Sequence, residues 1–579
     1  MRWALLGLLG LVAVALVARS IAASAVEAPQ LLCDEFIHAA EARGLWGEGR
    51  YAFRGEPAAP HSLLTPVVFG PAQLAGSGAG VYSALKATNV LLVGLTAVPV
   101  FLMARRIMSP VWATVAAGLA LALPGMAFAG LVMTEAAFFP AVALAVLLMA
   151  RAVEEATWRW QFLALGAVGI AAAVRPQALV LAVALILAAP LAALWEARAL
   201  GEPVGRRAFV ALRAMAPSAA VLGALVVLPP VLRVLRGDDV AGALGPYRAV
   251  LEADYAPGAV ASSAGLHAAF LPLAAAVIPL TALIIMVWRA FGAEGTRDGR
   301  ERAFLAVAVT SLLGTLAVTV GFAAAFTDDA IMERYLFSVL PLLMVVLALW
   351  LVRGLPRPPV PTAVGAVVPV LLLVGIPYAR YLDAGVPLDA PSAMLIPRIA
   401  DATGRGPTTV AVVLLALGAL WAAVAALAPR RVARIAVPGA VAVALVAGSV
   451  VASDRIQSQS AFPRTLAGEE PGWVDAAAGS DADAVYLDLG GEAPDAERGA
   501  LALQAEFWNR SVRRWGFAGA TPCGLPAEAV VVAGDGSVDL SAPGDHVVAP
   551  RELIREGDRR AVAGRLALTR TDGPVAVVA

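Results

Sequence analysis

Two adjacent carboxylates and an imidazole, Asp34, Glu35 and His38, follow directly on the first long apolar run of the chain. On a helix starting near Cys33, Asp34, His38 and Glu41 are spaced i, i+4 and i+7 and share one face, while Leu32, Phe36 and Ala39 or Ala40 share another. Such a helix lies along a membrane surface, apolar side in the interface, and presents carboxylates to whatever docks there. The same spacing also describes an ordinary solvated helix face. Three further groups sit at the edges of apolar runs. Met133-Thr134-Glu135 puts a carboxylate at the mouth of one. Arg175-Pro176-Gln177 lodges an arginine between two, where a charge is costly and marks a functional candidate. Asp328-Asp329 and Glu333-Arg334-Tyr335 close the end of another. Asp34 and His38, with Glu135, are candidate ligands for one divalent cation; the plainer expectation is that His38 bonds a neighbouring carboxylate. His61 either lines a pocket or is a loop histidine beside prolines.

The elements that must position these groups are membrane helices. The 579 residues are 60% hydrophobic and 15% charged, with a mean hydropathy of +0.79. Soluble domains carry about a quarter charged residues, so the composition is that of an integral membrane protein. The net charge of zero gives no footprint for nucleic acid. No Cys/His metal spacing and no phosphate-cradling Gly-rich loop is present. Lys86 is the only lysine.

The fold class expected is an all-α polytopic membrane protein with a small outer α+β domain. About thirteen apolar runs of spanning length follow one another, at 3–26, 82–104, 110–126, 135–151, 161–174, 176–195, 214–232, 267–288, 303–326, 335–352, 360–378, 409–428 and 435–453. The first is an uncleaved helix by its length rather than a signal peptide. Arginines concentrate in alternate breaks, which places those breaks in the cytoplasm. The N-terminus is then cytoplasmic in a multi-pass plasma-membrane protein. The outer side holds the loops 27–81, 127–134, 233–266, 327–334 and 379–408. The carboxylates and arginines above converge on that face from four separate segments. Residues 1–453 form the membrane domain and 454–579 the outer domain, with β-like runs at 484–487, 529–533, 546–548 and 574–578, a helix over 495–515, and a turn at Gly534-Asp535-Gly536. Trp508, Trp515 and Phe517 are either sugar-stacking rings or the core of that domain. Cys33 and Cys523 both lie on the oxidising side: paired, they pin the tail over Asp34; the alternative is two free thiols.

In their order and sidedness these features resemble the GT-C glycosyltransferases that use polyprenyl-phosphate sugars, the group of protein mannosyltransferases, aminoarabinose transferases and actinobacterial arabinofuranosyl- and mannosyltransferases. The carriers are Asp34-Glu35 after the first span and the amphipathic segment behind it, Pro60-His61-Ser62-Leu63-Leu64-Thr65-Pro66, Thr134-Glu135, Arg175-Pro176, and Glu333-Arg334-Tyr335-Leu336 leading into Leu340-Pro341. The resemblance covers about residues 1–455. It implies a polyprenyl-phosphate-linked sugar donor, a glycan, lipid or protein acceptor outside the cytoplasm, and membrane lipids around the spans. It also implies a carboxylate base for the acceptor hydroxyl, Asp34 with Glu35 as second choice, and a single displacement that inverts the anomeric centre. Arg334 or Arg175 would hold the phosphate that leaves. Glu135 orients the acceptor or shares a divalent metal ion with the first loop. His38, His61, Glu333 and Tyr335 complete the substrate-binding set. The rival readings are a transporter or flippase for lipid-linked sugars, with ionisable groups on broken helices at mid-span, and a non-catalytic assembly protein.

Overall fold

The computed structural model describes residues 2–236, 248–292, 298–327, 330–383, 385–490, 495–530, 537–538, 545–551, 553, 557–571 and 575–576. Asp328-Asp329, Tyr247 with part of the 233–266 loop, and the Gly534–Gly536 turn lie outside the described residues.

Every apolar run is helical. Among the described residues eight helices are long and apolar enough to cross a membrane, or ten when each of two bent pairs is counted as one span. Shorter apolar helices at Trp158–Val174, Leu340–Val352 and Pro359–Gly375 occupy the remaining runs. The protein is therefore a multi-pass membrane protein. The span expected over 267–288 is broken by a sharp bend. Helices Pro257–Ala274 and Ile278–Phe291 meet at 106°, across Ala276 and Val277, both with positive φ. Pro110–Leu121 and Pro124–Gly130 meet at 61°, where Pro124 cannot donate to the helix ladder.

The chain divides into two compact units. One comprises Met1–Arg19, Leu91–Phe128 and Glu135–Arg455; the other comprises Ser20–Val90, Ala129–Thr134 and Ile456–Ala579. The first is helical and carries most of the apolar helices. Its core includes the helices Glu135–Glu155, Gly299–Phe326 and Leu340–Val352, the last with every residue to Leu351 buried.

The second unit joins the first loop to the tail. Its leading helix, α2 (Cys33–Glu48), opens with Asp34 and Glu35 in the first turn, where carboxylates meet the positive end of the helix dipole. It closes on Gly49 at φ 71°, whose N–H reaches the Leu45 carbonyl at 3.1 Å, a left-handed cap suited to glycine. Midway, Gly44 passes so close to the Ala52 carbonyl that a Cβ would stand 2.3 Å from it. The apolar face of α2 does not lie in a membrane interface as its pattern suggested. Phe36, Ile37, Ala39 and Ala42 are buried, in one core with Phe507, Trp508, Trp515 and Phe517 of the tail. Phe36 and Tyr82 each meet Phe507 edge-on, at 5.8 and 5.6 Å. This core settles the three tail rings as packing residues, not exposed sugar platforms.

The tail sheet has six strands in the order Glu528–Ala529, Val512–Phe517, Ala484–Asp488, His546–Pro550, Leu566–Arg570, Asp558–Ala563. The first four are mutually parallel and the last two antiparallel. Tyr486 sits between Trp515 and Val548 in register. The expected helix 495–515 is shorter, Asp495–Trp508. Asn509 ends it: its Nδ2 donates to the Ala505 carbonyl at 2.8 Å and its Oδ1 accepts the N–H of Val474. The chain then turns into the strand that carries Trp515. The membrane helix expected to end at 453 continues to Ala467.

Cys33 and Cys523 are disulfide-bonded, with Cα atoms 5.6 Å apart, so the paired alternative holds. Reduction of full-length protein, or the Cys33→Ser variant, is expected to destabilise this unit by about 2–4 kcal/mol. Limited proteolysis within residues 456–579 should accelerate on reduction, and equal cleavage rates would disprove the clamp.

Candidate active site

In the helical unit, Glu135 begins the helix Glu135–Glu155 and is buried. Its Oε1 pairs with Arg175 and stands 3.8 Å from Nε of Arg334. Arg175 lies at the break between helices Trp158–Val174 and Pro176–Leu179, in extended backbone, because the proline after it disfavours the helical region. Its guanidinium lies over the Tyr335 ring at 4.4 Å. Arg334 sits in the short turn Glu333–Tyr335. It pairs with Asp389 at 2.8 Å, and its backbone N–H donates to the Asp389 carbonyl at 2.9 Å. Two guanidinium groups from separate segments are thus aimed at one buried carboxylate. The structure brings together Glu135, Arg175, Arg334 and Tyr335, as their shared position at span ends suggested. Asp389 went unnoticed in the sequence. Its signal in the sequence is a carboxylate within the 379–408 loop.

The Glu333–Tyr335 turn is held from both sides. Glu333 is fully buried and accepts the Ser392 N–H at 3.0 Å. Burial pushes its carboxyl up to about 8, against the contacts with Ser392 that favour the ion. His267 donates from Nδ1 to the Ser263 carbonyl at 2.8 Å and accepts the Met332 N–H at Nε2, 3.0 Å. Both nitrogens of a neutral ring are thereby used, and His267 positions the turn. A carboxyl raised on folding stabilises below its unfolded pKa, and that stability is lost as pH rises towards about 8. Melting temperature should fall between pH 5 and 8.5, and Glu333→Gln should flatten the slope. An unchanged slope would remove Glu333 as the cause.

In the other unit, Glu35 is completely buried. Its Oε2 accepts the N–H of Gln30 and its Oε1 the N–H of Val132, each at 2.6 Å. Burial raises its carboxyl to about 8, against those two bonds; Asp34 adds to the rise and Lys86 opposes it. Around it, Lys86 donates to the Val26 carbonyl at 2.7 Å, Asn89 to that of Leu131, and Gln30 to that of Ile456 at 2.8 Å. Both oxygens of Glu35 are therefore engaged in tying three segments together. Asp34, its neighbour, is half-buried.

His38 pairs with Glu41, one turn on, at 3.2 Å, not across i, i+4 with Asp34. The other oxygen of Glu41 accepts the backbone N–H of His61 at 2.6 Å and meets its Nδ1 at 3.1 Å. Burial raises the Glu41 carboxyl, but the two histidines outweigh it and hold it below the usual carboxylate range. The plainer expectation for His38 is the one observed. Among the described residues no group of three or more His, Cys, Asp or Glu is placed to hold a metal ion. The proline-rich stretch after His61 forms the helix Thr65–Phe69, started by a Ser62 hydroxyl that accepts the Thr65 N–H at 3.1 Å.

The family model for dolichyl-phosphate-mannose-protein mannosyltransferase matches residues 78–232. Among solved structures, the chain is similar to ArnT from Cupriavidus metallidurans in the apo state, at 15% identity with a TM-score of 0.50, covering 97% of each chain. It is equally similar to ArnT from the same organism bound to undecaprenyl phosphate, at 15% identity, a TM-score of 0.51 and the same coverage. Archaeal oligosaccharyltransferase AglB from Archaeoglobus fulgidus, in complex with an inhibitory peptide and a dolichol-phosphate, aligns at 10% identity and a TM-score of 0.41 over 86% of this chain and 64% of its own. No curated protein matches the sequence.

Proposed function

Proceeding from a chain with the GT-C glycosyltransferase fold, we propose that it is a membrane glycosyltransferase that moves a sugar from a polyprenyl-phosphate donor to an acceptor outside the cytoplasm. The observation that carries the reading is the pair of arginines, Arg175 and Arg334, oriented on Glu135. A departing phosphate is already acidic and needs no proton; it needs positive charge in a fixed orientation, which the planar guanidinium provides through paired N–H donors. Asp389 and Tyr335 keep both groups in place beforehand, so little reorganisation is needed when charge develops. That ArnT has been solved with undecaprenyl phosphate bound supports a lipid-linked donor.

The acceptor hydroxyl loses its proton as it attacks the anomeric carbon. Asp34 takes that proton, because both oxygens of Glu35 are occupied by backbone N–H groups. Attack opposite the leaving phosphate inverts the anomeric centre. The Cys33–Cys523 disulfide supports an extracytoplasmic position for Asp34, since such bonds persist on the oxidising side of a membrane. On this reading the protein lies in the plasma membrane with its N-terminus in the cytoplasm. The acceptor is a glycan, lipid or protein.

The test is transfer of radiolabelled sugar from membranes supplied with a polyprenyl-phosphate donor. Arg334→Gln should lower it by about a hundredfold or more, the scale of one lost transition-state contact. Wild-type rates in folded Arg334→Gln would overturn the phosphate assignment. A protein that moves the intact lipid-linked sugar across vesicles without cleaving it would establish the transporter reading instead.

A further inference from the structure

Arg19 sits near the end of α1 (Arg2–Ser24), a helix of membrane-spanning length. Its guanidinium donates through Nη2 to the Ser449 hydroxyl and, at 3.4 Å, to the Leu121 carbonyl. Nη1 reaches the Ser453 hydroxyl at 3.5 Å. Leu121 ends the helix Pro110–Leu121 just before the 61° bend, where the last carbonyls lose their helical partners. These acceptors are neutral. They orient the guanidinium without cancelling its charge.

Four arginines of this unit meet carboxylates instead: Arg175 with Glu135, Arg334 with Asp389, Arg106 with Glu154 and Arg302 with Glu196. Among the described residues Arg19 has no such partner, and Asp454, next to Ser453, is exposed and forms no ion pair with it. Meanwhile α1 turns most of its surface outward, with Leu9, Val14, Val17 and Ile21 exposed. A half-buried cation on an outward-facing apolar helix is costly unless an anion reaches it from the membrane.

We propose that Arg19, Ser449 and Ser453 form a binding site for the phosphate of an anionic membrane lipid. The residues are distinct from those around Glu135. Three of the five guanidinium N–H groups are used in these bonds, which leaves two to donate to phosphate oxygens. Each serine hydroxyl accepts from Arg19 and keeps its own proton to donate. A lipid is the source because its phosphate is delivered at the apolar boundary where α1 faces outward.

Native mass spectrometry of the full-length protein in detergent, titrated with phosphatidylglycerol and challenged with inorganic phosphate, tests this. Wild type should retain one phosphatidylglycerol, and Arg19→Gln should hold it about tenfold more weakly, the size of one lost hydrogen bond to a charged group. The Ser449→Ala/Ser453→Ala double variant should weaken it severalfold, and millimolar inorganic phosphate should leave the lipid in place. Equal retention by folded Arg19→Gln overturns the site. Displacement by inorganic phosphate overturns the lipid assignment. If Arg19→Gln does not fold, the serine double variant decides, and unchanged retention in it overturns the proposal.

Discussion

Asp34→Asn is expected to lower sugar transfer by roughly two to four orders of magnitude, the range for removal of a positioned general base. The substitution is nearly isosteric and leaves the start of α2 intact, so the unfolding free energy should stay within about 1 kcal/mol of wild type. Glu35→Gln is the contrasting variant. An amide has one accepting oxygen where the carboxylate has two, and Gln30 and Val132 both point N–H groups at this side chain. One of those donors would then face an NH2 group, at a cost of about 1–3 kcal/mol. Glu35→Gln should therefore lose stability first and transfer only in proportion to the folded fraction. Full transfer activity in folded Asp34→Asn would remove Asp34 as the base. A stable, inactive Glu35→Gln would move that role to its neighbour.

Glu135→Ala should have the largest effect on folding. It leaves Arg175 buried beside Tyr335 without its counter-charge, and breaking a buried pair from one side costs about 3–5 kcal/mol. Arg334 retains Asp389 and suffers less. Removing both partners tells packing from chemistry. Apolar replacement of a buried ion pair is often neutral or stabilising, so Glu135→Leu/Arg175→Met should recover much of the melting temperature. It should recover no transfer, because the phosphate has lost a guanidinium. Recovery of transfer along with stability would show the pair to be structural only. Thermal unfolding in detergent and the transfer assay, run on the same preparations, read both outcomes.

The apolar periodicity was enough to find each membrane helix, because runs of spanning length leave little else that the backbone can form. It did not show the bend at Ala276 and Val277, where two non-glycine residues take positive φ within an unbroken apolar stretch. The helical spacing of Asp34, His38 and Glu41 was legible, but the burial of that face was not. Arg43 reaches the carbonyls of Glu506 and Phe507, more than 460 residues away, and no local pattern reports such a partner. The same distance hid the role of Glu35, whose two donors are backbone groups of any residue type. The helix expected over 495–515 stops at Trp508 because Asn509 ends it with side-chain bonds to the backbone N–H groups of Val474 and Asp475, on the helix Trp473–Ala478 far back in the chain. In the sequence Arg19 is one charge in an apolar run; only the serines of a distant helix give it context.

The first-loop unit has a consequence for biosynthesis. Cys33 and Cys523 are 490 residues apart, and translation at about 5–20 residues per second separates them by roughly 25–100 s. Throughout that interval the helix that carries Asp34 has neither its disulfide nor the aromatic face of Phe507 and Trp508 to pack on. Its thiol waits alone, open to capture by an oxidoreductase. A nascent chain stalled before residue 500 has no means of completing this unit, so quality control can read a truncated product by one unpaired cysteine near its beginning.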